Sequence, residues 1–137
     1  MNLDSTITET RHQNLLRFGD AKPRFLQGVY PFAGRGVFDL GPLHDELCYV
    51  VPSDATAEVL YVRAGNLSDD ILYLALFVNG SPARYFPVGP KADFHVTLAI
   101  VESYPSGSRL ELALAAPRGL IGTVVVDVGI VEVKNTL

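Results

Sequence analysis

The chain has 137 residues, a single cysteine, no tryptophan and a net charge of −4. A chain of that length makes one domain that buries roughly two-thirds of its unfolded surface, and the lone Cys48 excludes an intramolecular disulfide framework or a multi-cysteine metal site. The 11 Lys and Arg are scattered singly, which argues against nucleic acid as a partner, and no apolar run nears the ~20 residues that cross a bilayer as a helix.

Residues 1 to 23 read as a polar arm. Met1 to Asp20 lack the apolar stretch of a secretory signal, so the expectation is a cytoplasmic protein unless a leader has been removed. Thr8 to Phe18 suits one or two helical turns, and an ordered arm and a disordered tail both stay open.

From Arg24 the pattern changes to short apolar runs broken every eight to twelve residues by Gly, Pro, Asn or Asp, the signature of a sandwich or barrel. Arg24 to Tyr30, Gly36 to Leu40 and Leu47 to Val51 read as strands. Ala57 to Ala64 reads as another, with Leu60 and Val62 on one side. Ile71 to Val78 follows and ends at Asn79-Gly80, a pair that tolerates the positive φ angles of a tight hairpin. Pro82 places the returning strand, about Arg84 to Val88, at an edge or a bulge. Phe94, Val96, Leu98 and Ile100 alternate with His95, Thr97 and Ala99, as in a strand with one buried face. Tyr104 to Ser108 is a turn, Leu110 to Leu114 a strand, and Thr123 to Val133 the longest run, with Gly129 a bulge point. The fold predicted over 24–137 is an all-β, antiparallel two-sheet, jelly-roll-like sandwich of eight or nine strands.

Ile71 to Val78 and Val124 to Val126 are apolar on both parities, so their outer faces are expected to be covered. The cover is a flanking loop or the arm, a second subunit, or a ligand held on a face that carries Tyr73 and Phe77.

Catalytic chemistry finds little support. His12, His44 and His95 are too widely spaced for a metal motif, and no Gly-x-Ser-x-Gly elbow occurs. Cys48 lies inside an apolar strand, as a structural thiol does. Gly34-Arg35-Gly36 serves a turn, and Asp69 and Asp70 suit turn chemistry. Asp127 interrupts an apolar strand; if it is buried, an Arg is its natural partner, and on the outer face it is ordinary. No catalytic residue, metal or cofactor is expected.

Tyr61-Val62-Arg63-Ala64-Gly65-Asn66, followed by Leu72 to Gly80, then Phe94 to Leu98, Gly107 to Leu112 and Asp127 to Val133, come in an order that resembles carbohydrate-binding modules of families 6 and 35. Those modules share a galactose-binding-like β-sandwich. The similarity spans about residues 57 to 133 and is more specific for fold than for ligand. It implies a non-catalytic module that binds a glycan or other small polar ligand. The family's usual loop Trp is missing, however, and so is its N-terminal acidic calcium motif. Comparable loops here hold Lys91, Asp93 and Arg118 for hydrogen bonding, with Tyr104 as a stacking surface. The alternative is a structural protein that homo-oligomerises through an apolar sheet face containing Tyr73 and Phe77.

Overall fold

The computed structural model describes residues 21–135; residues 1–20, with the helical turns expected at Thr8 to Phe18, lie outside the described residues. Two antiparallel sheets of five strands pack face to face. Sheet A runs in the order β1 (Ala21–Ala33), β10 (Ile121–Lys134), β4 (Ala55–Asn66) and β7 (Asp93–Thr97), with the two-residue β8 (Ser103–Tyr104) paired to the early part of β4. Sheet B runs β2 (Gly36–Pro42), β9 (Arg109–Ala116), β5 (Leu72–Val78) and β6 (Ser81–Val88), with β3 (Cys48–Val50) also on β9.

The all-β sandwich expected from the sequence is present, with ten strands. The addition is β8, in a stretch whose Tyr104 reads from sequence as part of a turn. The first strand also starts earlier than Arg24, at Ala21.

The two inner faces use different residues. Sheet A contributes β-branched Val62, Val124, Val126 and Val128, which suit the pleat, and sheet B contributes Leu72, Leu74, Leu76, Leu110 and Leu112, all essentially inaccessible. Alternation along each strand sends the intervening residues outward.

Turn and bulge chemistry fix the register. Asn79 and Gly80 have φ of 52° and 83°, the two positive angles of a tight hairpin, and they join β5 to β6. Pro82 sits on edge strand β6 beside a register shift, since Phe77 pairs with Pro82 but Leu76 pairs with Arg84. A second bulge lies at Gly129/Ile130, where Gly129 faces Tyr61 and Ile130 faces Val59, leaving Leu60 as the extra residue.

That bulge corrects one expectation. Val59 and Val62 both enter the core, whereas Leu60 turns to the opposite face, where it forms a small cluster with Ala21 and Val131 against Val101 and Val133. Leu60 and Val62 therefore do not share a side. The strand expected to reach Ile100 likewise stops at Thr97, and Ile100 is exposed. Leu98 N–H donates to the carbonyl of the bulged Leu60, after which regular pairing with β4 ends.

Sheet B covers much of its own outer face. Between Gly36, which pairs with Ala116, and Gly41, which pairs with Leu114, β2 carries extra residues that leave the ladder. The Val37 carbonyl there accepts a 2.6 Å hydrogen bond from Tyr73 Oη. Ala75, Ala113 and Ala115 lie buried, and the Tyr73 and Tyr85 rings are 6.0 Å apart.

Candidate functional site

The registers of sheet A place its outward residues in rows across four strands. Phe25, Gly129, Tyr61 and Thr97 make one row; Gln27, Asp127, Arg63 and His95 the next; Val29, Val125, Gly65 and Asp93 a third. An amide, a carboxylate, a guanidinium and an imidazole thus stand side by side, between two rows that are apolar on the β1 side. Neighbouring strands are about 4.8 Å apart, so the polar row spans about 15 Å.

Over β10, β4 and β7 this face forms an open cleft of about 630 Å³, lined by Arg63, Gly65, Lys91, Asp93, His95, Val125 and Asp127 among others. That is within the range of pockets that hold small ligands. Two glycines shape this face, Gly65 in the cleft and Gly129 beside it. Gly129 leaves room for the Tyr61 ring, which lies where a Cβ would project. Gly65 forms part of the floor, with only Asp93 Cβ and Val125 Cβ, each 3.9 Å away, within reach of an added Cβ.

Tyr61 Oη donates to Asp127 Oδ1 at 3.2 Å, and Arg63 Nη1 is 3.9 Å from Asp127 Oδ2, an ion pair too long for a direct hydrogen bond. Burial, then the charge and hydrogen bond of Asp127, push the Tyr61 hydroxyl above its usual pKa, with Arg63 opposing, so it remains a donor at neutral pH. The His95 ring meets the Tyr61 ring edge-on at 5.5 Å. Asp127 is therefore an outward residue with two partners, and Arg63 retains donors that no described residue uses.

The rim is held by a buried amide. Asn66 Nδ2 donates to the carbonyls of Asp70, Val88 and Gly89, and its Oδ1 accepts from Ser68 N–H and Oγ, so one side chain ties the turn after β4 to the loop after β6. Lys91, with φ of 54°, donates from N–H to Ser68 O and from Nζ to Leu67 O, with Asp69 Oδ1 3.3 Å away.

Of the four residues singled out from loops, Lys91 and Asp93 line this cleft. Arg118 is exposed in the β9–β10 turn and outside the lining, and Tyr104 is 8% exposed, packed in the core from β8. Because Tyr104 pairs with Ala57 and Asp93 with Gly65, they sit toward opposite ends of β4. Tyr73 and Phe77 lie half-buried on the other sheet. Arg63, Tyr61 and Gly65 escape sequence reading, although they share one parity of β4; His95 reads there as plain surface. Among the described residues, no three His, Cys, Asp or Glu side chains come together as a metal site, and no helix is long and apolar enough to cross a membrane.

No family model and no curated protein matches the chain. Solved structures do resemble it. The CBM36-1 domain of a multidomain xylanase from the hindgut metagenome of Trinervitermes trinervoides is 12% identical, with a TM-score of 0.49 over 85% of this chain and 100% of that one. A chain from Bacillus endospore appendages, described as disulfide-linked pili, is 6% identical, with a TM-score of 0.44 over 85% and 91%. One from the infectious bursal disease virus Gx strain is 13% identical, with a TM-score of 0.41 over 85% and 36%. The resemblance to carbohydrate-binding modules is one of fold, and it assigns no ligand.

Proposed function

We propose that the domain is a non-catalytic binding module that takes a small polar ligand of sugar-like chemistry in the cleft over β10, β4 and β7. The observation that carries this reading is the row Asp127–Arg63–His95 in the cleft, continued by Gln27 on β1 beside it, which offers donors and acceptors at strand spacing. A sugar hydroxyl both donates and accepts, so it suits a mixed row better than a row of one charge. The Tyr61 ring supplies an apolar surface beside that row, and Gly65 lets a ligand approach the backbone.

Lys91 and Asp93 remain part of this reading as rim groups, whereas Tyr104 in the core and Arg118 outside the cleft do not. Self-association through the outer face of sheet B has less to stand on, because Tyr73 Oη is already bonded to Val37 and both Tyr73 and Phe77 are half-buried within the chain.

Isothermal titration against a panel of mono- and oligosaccharides tests the reading. Heat should appear with at least one sugar, and Arg63→Ala and Asp127→Asn should abolish it without unfolding the domain. Binding that is indifferent to both substitutions, or no heat across the panel, would remove this reading.

A further inference from the structure

Among the described residues strand β1 is the edge of sheet A, and it pairs with β10 along all thirteen of its residues. Which backbone groups it leaves free follows from two bonds. Gly34 N–H donates to Leu120 O at 2.6 Å, continuing the β1–β10 register, while Leu67 N–H donates to Thr123 O at 3.0 Å on the β4 side. Even-numbered residues of β10 therefore turn their backbone toward β1, and odd ones toward β4. By the same alternation, even residues of β1 bond β10 and odd residues point to the open edge.

Between the terminal Ala21 and Ala33, the odd residues are Pro23, Phe25, Gln27, Val29 and Pro31. Both prolines thus place their missing N–H on the open side, where an edge strand tolerates proline. Between them the N–H groups of Phe25, Gln27 and Val29 have no partner among the described residues. The Gln27 carbonyl accepts one 3.3 Å bond from Tyr30 Oη and keeps a second lone pair.

This segment is symmetric about Gln27. Laid antiparallel on itself with Gln27 opposite Gln27, it sets Phe25 opposite Val29 and Pro23 opposite Pro31. Phe25 and Val29 are 52% and 63% exposed on the same outer face, so each pairing would bury them together. The ladder would contain about six backbone hydrogen bonds and stop at a proline at each end. Arg24 falls opposite the uncharged Tyr30 of the second copy and keeps its ion pair with Glu132 of its own chain, so the seam sets no like charges against each other there.

We infer that β1 is a self-complementary docking edge, whose occupant is β1 of a second copy of this chain, joined about a twofold axis midway between the two Gln27 residues. The product is a sheet running continuously through β7-β4-β10-β1 of one copy and β1-β10-β4-β7 of the other. A twofold axis normal to the sheet keeps both outer faces on one side. On the reading proposed for the cleft, the two Arg63 side chains then stand five strand spacings apart, about 24 Å, facing the same way, as suits a polymeric ligand engaged at two points. The dimer itself does not depend on that reading.

The test is light scattering and sedimentation of the full chain from low to high micromolar concentration, with no ligand added. Wild type should be a dimer. Gln27→Pro removes the central N–H on the side away from β10, and it should raise the dissociation constant roughly tenfold or more while the circular dichroism stays unchanged. Val29→Lys, which puts a charge on the outer face, should do the same if Gln27→Pro folds poorly. In a Cys48→Ser background, Gln27→Cys should cross-link to a dimer on mild oxidation, whereas Lys22→Cys should not, because residue 22 lies opposite residue 32. A monomer at every concentration, a dimer insensitive to both edge variants, or equal cross-linking at both positions would overturn the inference.

Discussion

Tyr49 Oη donates a 2.6 Å hydrogen bond to Glu132 Oε2, joining β3 of sheet B to β10 of sheet A at one rim of the sandwich. Arg24 Nε, from β1, is 3.0 Å from the same oxygen. Across the molecule Arg84 of β6 pairs with Glu102, just before β8. One rim of the apolar core is thus closed by a hydrogen bond between the sheets onto a carboxylate that Arg24 also holds, and the other by an ion pair from β6 to the residue before β8.

Tyr49→Phe removes the hydrogen bond but keeps the ring. The loss should be about 1–2 kcal/mol, since the acceptor is charged and largely shielded. Urea denaturation should show a lower midpoint with an unchanged slope. A midpoint equal to wild type would mean that Arg24 alone holds Glu132.

The same pair should shape stability against pH. The Tyr49 hydrogen bond, with Arg24 and Lys22 adding, holds the Glu132 carboxyl below its ordinary pKa of 4.5, against the opposing effect of burial. A group depressed in the folded state contributes fully above the unfolded value and loses that contribution as pH falls through the folded one. Melting temperature should therefore drop below about pH 4.5, and Tyr49→Phe should flatten that drop. Tyr49 itself is raised above its ordinary 10.0 by burial and then by Glu132, so its contribution persists to pH 10 and is lost only at higher pH. Thermal melts across pH 3 to 6 read the acid limb; identical slopes for variant and wild type would contradict the assignment.

Asn66 is where the fold and the candidate site meet. Asn66→Ala strips hydrogen bonds from the carbonyls of Asp70, Val88 and Gly89 in a buried setting, and should cost about 2–4 kcal/mol. Hydrogen exchange should rise first in residues 66–70 and 88–92, because those turns lose their common tie. Uniform exchange across both sheets would instead indicate global loosening.

Much of the fold is legible in the residues because local chemistry and global pairing agree there. Asn79-Gly80 demands positive φ, Pro82 demands an edge, and Gly129 marks the bulge, and each is satisfied where it stands. The site is less legible. Tyr61, Arg63 and Gly65 line one face of β4, yet Leu60 breaks the parity just before them, so alternation alone cannot say which side is outer. Arg63, Asp127 and His95 become neighbours only through registers among strands more than 30 positions apart in sequence. Tyr104 misleads for the opposite reason: its turn-like flanks, Pro105 and Gly107, hide a short strand that buries the ring.

Gly65 in the cleft and Gly129 beside it should respond oppositely to alanine. At Gly65 a methyl finds only Asp93 Cβ and Val125 Cβ, at 3.9 Å, so the fold accepts it, and stability should hold or rise by up to about 1 kcal/mol as the unfolded chain loses freedom. The same methyl raises the cleft floor, and sugar binding should weaken. At Gly129 a methyl falls inside the Tyr61 ring, which must swing away and abandon its hydrogen bond to Asp127. Gly129→Ala should therefore destabilise the domain by about 1–3 kcal/mol, as overpacking does. Titration and melting of the two variants side by side separate a filled floor from a displaced ring beside it. If Gly65→Ala binds sugar as wild type does while Gly129→Ala alone loses binding, the ligand rests on Tyr61 and its flanking row, and the floor between Val125 and Asp93 takes no part.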